Sequence, residues 1–297
     1  IQTIDQVMLF YRVSPQQKIR IVEALQANHH TVAMMGDGVN DALALKKANI
    51  GIVVGEATEV AKEIADMVLL DSSFNTIISA IEEGRGIFDN LKKVVLYLLA
   101  NSFTELILVG GSLLLGWPIP ILAVQILWIN LIQDGPPVIA LAFEPKDLGL
   151  MNVDPRKKDE PIINKQIWAM ILAGGILSDL ALMGICWLLM NLNYSIAEIR
   201  TIIFLCLGLS SSIYVFSCRS LRRSIWNYNI FANKHLTGSV VFGIAIIFLA
   251  IYNPFLKILL KTTTVSSLGW LLIIGKCLFT IMGMEAAKYL FKDSVKH

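Results

Sequence analysis

Long apolar runs dominate residues 93 to 291, and that feature restricts the fold more than any other. Each run has the length needed to cross a hydrocarbon layer about 30 Å thick as a helix. Six spans are expected, at about 93–115, 119–142, 166–190, 199–218, 237–256 and 268–290. The whole chain is 55% hydrophobic with a mean hydropathy of +0.64, too apolar for an ordinary soluble domain. The apolar residues are segregated, however, and residues 1–92 read as a soluble α/β piece. Two domains are therefore expected, 1–92 and 93–297, the second an all-α six-helix transmembrane bundle.

Charge placement predicts orientation. Lys92 and Lys93 precede the first span. Lys146, Arg156, Lys157, Lys158 and Lys165 lie between the second and third, and Arg219, Arg222, Arg223 and Lys234 between the fourth and fifth. Lys288, Lys292 and Lys296 end the chain, whereas the opposite side carries only Arg200, Lys257 and Lys261. Counting positive residues puts both ends of the chain in the cytosol, consistent with an even number of spans. Ile1–Arg12 lacks the apolar core and cleavage site of a signal peptide. A net charge of +2, with basic residues not gathered on one soluble element, gives no nucleic-acid footprint. Cys186, Cys206, Cys218 and Cys277 all fall in or at the ends of spans, so neither disulfides nor a cysteine metal site is expected.

The soluble piece carries its chemistry in residues 31–55, TVAMMGDGVNDALALKKANIGIVVG. Thr31–Met35 reads as a strand, Gly36–Asp41 as an acidic loop, then a small-residue helix, then a strand at Ile50–Val54. Asp37 and Asp41 would sit where a parallel sheet presents its carboxyl ends, the usual ligand crevice of an open α/β sheet. Two carboxylates with Asn40 suit a hydrated Mg²⁺ and a phosphate. An acidic turn closing a strand is the plainer alternative. Gly36 and Gly38 permit close backbone approach. Pro15 opens a helix to about Gln26 with Lys18 in its first turn. A helix over Glu56–Ala65 leads to a third strand at Met67–Leu70. A further helix from Phe74 to Lys92, continued into the first span, would form a rod of about 60 Å.

Ionisable groups inside a bilayer are costly and are functional candidates by default. The first span holds Asn101, Ser102, Thr104 and Glu105, and the second Gln125, Asn130, Gln133 and Asp134. Positions 130, 133 and 134 share one helical face. Gly135-Pro136-Pro137 cannot continue a regular helix, which frees carbonyls for a cation. Two carboxylates with amide and hydroxyl oxygens suit a hard cation such as Ca²⁺. Gln125 and Thr104 read as inter-helix polar packing. Asp179 reads as a kink cap near Gly174-Gly175 or a crevice residue, and Lys276 and Glu285 as snorkelling or paired.

GDGVNDALALKKANIGI, residues 36–52, closely resembles the hinge motif of the P-type cation-pumping ATPases, whose phosphorylation domain has a haloacid-dehalogenase-like fold. Tyr11–Lys18 resembles the stretch carrying their phosphate-contacting lysine. Ala65–Asp71 and Ile81–Arg85 resemble the exit from that domain, and Trp128–Pro137 the ion-binding helix of the calcium-pump branch. The resemblance covers essentially the whole chain. It implies that Lys18 faces the phosphorylated aspartate, that Asp37 binds Mg²⁺, that Asn40 donates to a phosphoryl oxygen, and that Asp41 orients the loop or the metal's waters. Leu43 stands where the family usually has Pro. Glu105, Asn130 and Asp134 match ion-ligand positions. Ser102 stands where Asn is usual, with Asn101 one place earlier, and Gln133 replaces a Thr. Ser210-Ser211-Ser212 stands where two-ion calcium pumps place a Glu, which implies one divalent ion per cycle. Glu144–Asp147 begins a loop that contacts the phosphorylation domain in the family.

No DKTGT, TGES or PEGL motif occurs in the sequence. The expectation is the C-terminal part of a pump that uses ATP and Mg²⁺ to move Ca²⁺. Its actuator, nucleotide-binding and first transmembrane parts, and its phosphorylated aspartate, would lie outside this chain. Multi-pass placement in the plasma membrane is expected. Alternatives are a pump for Mn²⁺, Na⁺ or H⁺, or a truncated non-catalytic membrane protein or regulator. A soluble phosphatase with an anchor would need neither six spans nor buried acids.

Overall fold

The computed structural model describes residues 4–37, 39–71, 73–147, 149–155 and 161–291. Gly38 and the basic residues Arg156, Lys157, Lys158, Lys292 and Lys296 lie outside them. By contacts the chain divides into two compact units, one within residues 1–85 and one holding the bulk of the chain from Gly86 on.

In the first unit, α1 (Pro15–Ala27) begins at a capping box. The Ser14 hydroxyl accepts from the Gln17 N–H at 3.4 Å, and the Gln17 side chain accepts from the Ser14 N–H at 2.8 Å. Pro15, lacking an N–H, occupies a first-turn position where none is needed. Strands β1 (Ala33–Gly36), β2 (Ile50–Val54) and β3 (Met67–Leu69) form a parallel sheet in that order, with Ala33 opposite Ile50 and Ile52 opposite Met67. The connections are α2 (Ala42–Lys47) and α3 (Glu59–Ile64). Parallel pairing needs such helical crossovers, and burial of Leu45, Val53, Ala57 and Ala61 against one another fixes them on the sheet.

In the apolar part, α4 (Phe74–Glu105) passes into a π-helical turn at Leu106–Gly110 and then α5 (Gly111–Leu114). An unbroken helical run of 40 residues, Asn75–Leu114, results, so the helix expected from Phe74 does continue into the first span. Helix α6 (Ala123–Trp128), a π-helical turn at Ile129–Gln133 and α7 (Gly135–Ala142) follow. Next come α8 (Lys165–Ile171), a π-helical turn at Leu172–Ile176 and α9 (Leu177–Asn191). Helices α10 (Ile196–Cys218), α11 (Lys234–Tyr252), α12 (Pro254–Leu260) and α13 (Ser267–Leu290) complete the chain.

Among the described residues, five helical runs are long and apolar enough to cross a membrane: Asn75–Leu114, Lys165–Asn191, Ile196–Cys218, Lys234–Tyr252 and Ser267–Leu290. The expected second span, 119–142, is not one such helix, because it breaks at Asp134. The break also lies earlier than the proline pair suggests. The Asp134 N–H reaches back five residues to Ile129 O at 2.9 Å, and Pro136 and Pro137 fall in the first turn of α7 rather than ending α6. Proline is tolerated there because first-turn N–H groups have no intrahelical acceptor.

Helix α10 is the centre of this unit, packed on α9, α11 and α13. Its buried residues include Thr201, Ser210, Ser211, Ser212 and Ser217, whereas Leu106, Leu114, Trp187, Phe255 and Met282 are exposed. Polar residues inside and large apolar ones outside is the distribution lipid imposes, since tails solvate leucine as well as another helix does. The protein is an integral membrane protein. All four cysteines are buried free thiols.

Candidate functional site

The soluble site is built at the end of β1. Asp37 follows the strand directly and is exposed. Among the described residues its carboxylate has no hydrogen-bonding partner. The chain then makes a tight 3₁₀ turn, Val39–Asp41, into α2, leaving Asn40 exposed and Asp41 6% exposed. The capped start of α1 aims Lys18 at this turn, and Lys18 Nζ lies 2.6 Å from Asp41 Oδ1. A Cβ on Gly36 would sit 2.7 Å from Asp41 Oδ2, so the strand end accepts only glycine without moving this carboxylate. Asp41 is therefore braced between Lys18 and the backbone, while Asp37 is left open to solvent. A solvent-open carboxylate on the same turn as a paired carboxylate and ammonium can hold a hydrated divalent cation and a phosphate together.

The second site lies in the membrane unit. Asp134, at the break between α6 and α7, is 5% exposed. Its Oδ1 accepts from the Tyr97 hydroxyl at 2.8 Å and its Oδ2 from Asn101 Nδ2 at 3.0 Å. The Tyr214 hydroxyl donates to Asn101 Oδ1 at 2.6 Å and so sets that amide's orientation. Asn130 Nδ2 donates to Glu105 Oε1 at 2.5 Å. Asn101, Thr104, Glu105, Asn130, Asp134 and Ser211 share the lining of one cavity of about 30 Å³, about one water's share of liquid. Glu105 directly precedes one π-helical turn, and Asn130 lies in another. Such turns insert a residue into the helix and are frequent at functional sites. Among the described residues no three His, Cys, Asp or Glu side chains converge. The donor set is therefore two carboxylates supplemented by amide and hydroxyl oxygens, which suits a hard cation.

Two expected residues stand apart from this cavity. Ser102 is exposed and donates to Leu98 O of its own helix at 2.8 Å. Gln133 Nε2 points to α10, donating to Ser212 Oγ at 2.5 Å and Gly208 O at 3.1 Å. Thr104 and Gln125 make inter-helix bonds, to Asp179 Oδ1 at 2.8 Å and Leu260 O at 3.0 Å. Asp179 accordingly reaches across to α4 and caps no kink. Gly174 and Gly175 are contact residues instead, since a Cβ on Gly175 would meet Ala100 O at 2.8 Å. Glu285 pairs with Lys288 at 2.8 Å. Lys276 does not snorkel: it is 5% exposed and donates to Ser210 Oγ at 2.7 Å. Glu144 turns into its own unit and binds Arg219. Tyr97 and Tyr214 were not expected at the site. The available signal was spacing, because Tyr97 lies four residues before Asn101 and shares its helical face.

A three-stranded parallel sheet with an acidic loop at β1, joined in sequence to an apolar helical bundle holding buried acids, is the arrangement expected of part of a membrane cation-transporting ATPase. Comparison with known proteins agrees. The profile of the family described as "Cation transporting ATPase, C-terminus" matches residues 118–290. That of "haloacid dehalogenase-like hydrolase" matches residues 1–49. The chain belongs to the P-type cation-transporting ATPases. It is 38% identical over 274 residues to a calcium-transporting ATPase of Bacillus subtilis (strain 168), covering 92% of this chain and 31% of that protein. It is 40% identical over 276 residues to the probable cation-transporting ATPase F of Mycobacterium tuberculosis (strain ATCC 25618 / H37Rv), covering 92% and 30%. With the human calcium-transporting ATPase type 2C member 1 it shares 38% identity over 275 residues, again 92% and 30%. The chain thus spans under a third of the length of these relatives.

Proposed function

We propose that these residues are the C-terminal part of an ATP-driven pump that moves one divalent cation, Ca²⁺, per cycle across the plasma membrane. The observation that carries this reading is the cavity at the Asp134 break, where Glu105, Asn130 and Asn101 converge on it. Glu105, Asp134, Asn130 and Asn101 bind the ion, with Ser102 and Gln133 outside its immediate shell. The interrupted stretch Ala123–Ala142 crosses the membrane as a sixth span. Both chain ends are cytosolic, and residues 1–92 form the C-terminal half of the phosphorylation domain. The names of the calcium-transporting relatives support the choice of ion.

ATP hydrolysis proceeds through an aspartyl phosphate on a residue outside these 297. The actuator, nucleotide-binding and first transmembrane parts belong to the remainder of the pump. Asp37 and Asp41 would hold Mg²⁺, which when bound neutralises charge between phosphate and attacking carboxylate. Lys18 stabilises phosphoryl oxygen charge as it develops, and Asn40 donates to one such oxygen. Asp41, held by Lys18, keeps the loop in place.

The test is ATPase activity of the full-length pump across Ca²⁺, Mn²⁺, Na⁺ and K⁺. Ca²⁺ should stimulate. Glu105→Gln and Asp134→Asn should each raise the Ca²⁺ needed by at least about tenfold, roughly 1.4 kcal/mol. Phosphorylation from inorganic phosphate should survive both. Unchanged Ca²⁺ dependence in both variants would place the site elsewhere.

A further inference from the structure

Among the described residues, four cationic side chains are buried in the membrane unit, and one of them differs from the rest. Lys93 has Asp89 at 2.9 Å, Arg219 has Glu144 at 2.7 Å, and Lys288 has Glu285 at 2.8 Å. Arg219 and Lys288 lie at helix ends. Among the described residues, Lys276, in the middle of α13 and 5% exposed, has no carboxylate in contact. Its ammonium is directed at Ser210 Oγ, 2.7 Å away. Ser210 is the first of the three serines on α10 and adjoins Ser211, which lines the cation cavity.

The carboxylate that answers Lys276 lies on another helix. Asp179 of α9 is 2% exposed, and α9 meets α13 beside it: the Ser178 hydroxyl lies 2.7 Å from that of Thr280, which in turn donates to Lys276 O at 3.0 Å. Its Oδ1 accepts from Thr104, and among the described residues its Oδ2 has no hydrogen-bonding partner. Thr104 itself lines the cavity and precedes Glu105. Asp179 and Lys276 therefore each touch a neighbour of the cation site without touching one another. A lone charge at this depth is costly. The two compensate each other through the low-dielectric interior, where charges act over longer distances than in water.

We infer that Lys276 is a resident cation of the pump. It cancels the charge of Asp179 and is held by Ser210, the first of the serine triplet, leaving Glu105 and Asp134 as the carboxylates of this chain free for the transported ion. The inference rests on the cation-site reading above and makes Lys276 and Asp179 positioning residues that set ion affinity and number. Neither binds the transported ion.

The experiment uses the full-length pump in liposomes with Ca²⁺ as probe. It compares wild type, Asp179→Asn, Lys276→Met, Lys276→Arg and the Asp179→Asn/Lys276→Met double variant. Asp179→Asn leaves one positive charge uncompensated and should raise half-saturating Ca²⁺ by about tenfold, roughly 1.4 kcal/mol. The double variant should return to within about threefold of wild type, and Lys276→Arg should behave as wild type. Lys276→Met leaves an extra carboxylate, so protons should compete with Ca²⁺ and its Ca²⁺ dependence should steepen with falling pH. A purely structural role would lower the yield of folded protein without moving half-saturation in the folded fraction. The inference is overturned if Asp179→Asn leaves half-saturation unchanged. It is equally overturned if the double variant is as impaired as Asp179→Asn or fails to fold. A wild type with no divalent-dependent turnover would instead sink the pump reading itself.

Discussion

Arg219→Met should destabilise the membrane unit more than any surface change. Arg219, at the end of α10, places Nε and Nη2 at 2.8 and 2.7 Å from Glu144 Oε1. Asn233, the cap of α11, donates to Glu144 Oε2 at 2.7 Å, and Asn90 of α4 donates to Glu144 O at 2.7 Å. One carboxylate residue thus joins α4, α7, α10 and α11, with Arg219 and Glu144 only 5% and 8% exposed. Removing one partner leaves the other charge buried and unpaired, at a cost of about 3–5 kcal/mol. For a unit of about 200 residues that is roughly 6–20 °C in melting temperature. Glu144→Gln should fall at the low end, because Arg219 Nη1 still donates to the carbonyls of Asn229 and Ile230. The Glu144→Gln/Arg219→Met double variant should lose less than the sum of the two, since the two groups are in direct contact. The assay is thermal unfolding in detergent micelles. Arg219→Met melting within about 2 °C of wild type would show the pair to be solvated, and the reasoning wrong.

Gly175→Ala should cost about 1–3 kcal/mol, because the new methyl would meet the backbone of Ala100, which has no side-chain freedom to yield. Gly184→Ala, with nothing within 4 Å, should be near neutral or mildly stabilising in the same melting assay. Asp37→Asn in the full-length pump should abolish most Mg²⁺-dependent phosphoenzyme, an amide being a poor Mg²⁺ ligand, and normal phosphorylation would sink the metal assignment. Tags placed within 150–160 should be shielded from external reagents, and tags within 192–197 should be labelled. External labelling of the 150–160 loop would overturn the six-span topology.

What the sequence revealed follows from which interactions are local. Strand β2 was legible to the residue, since Ile50–Val54 is a continuous apolar run bounded by Asn49 and Gly55. Strand β1 starts two residues later than the apolar pattern suggests. The Val32 N–H is taken by Asn49 Oδ1 at 2.9 Å, and Val32 O accepts from the Asn49 and Ile50 N–H groups, so Val32 is held in a loop. Helix α3 starts late because Thr58 caps it, accepting from the Ala61 N–H. The polar residues of the candidate cation site could be named from hydropathy, because an amide or acid in an apolar run is visible in one dimension. Their partners could not. Nothing local to Lys276 says that it faces Ser210, and nothing local to Asp179 says that Thr104 lies opposite, as 66 and 75 residues separate those pairs.

The break in the second apolar stretch is the element that makes sense of the rest. In an unbroken α-helix every carbonyl is taken by an N–H four residues on, and side chains three or four apart crowd one stripe. Here the N–H groups absent at Pro136 and Pro137 leave the carbonyls of Ile132 and Gln133 without regular donors. The π-helical turn at Ile129–Gln133 resets the register of Asn130 relative to Asp134. Asn130 then turns to Glu105, Asp134 turns to Tyr97 and Asn101, and Gln133 turns to α10. A regular helix would have placed all three on one face toward one neighbour. The distortion spreads one segment's polar groups between α4 and α10, and the two carboxylates come to line a single small cavity between those helices. Lengthening that segment into an ideal helix would restore its hydrogen bonds and take the cavity apart.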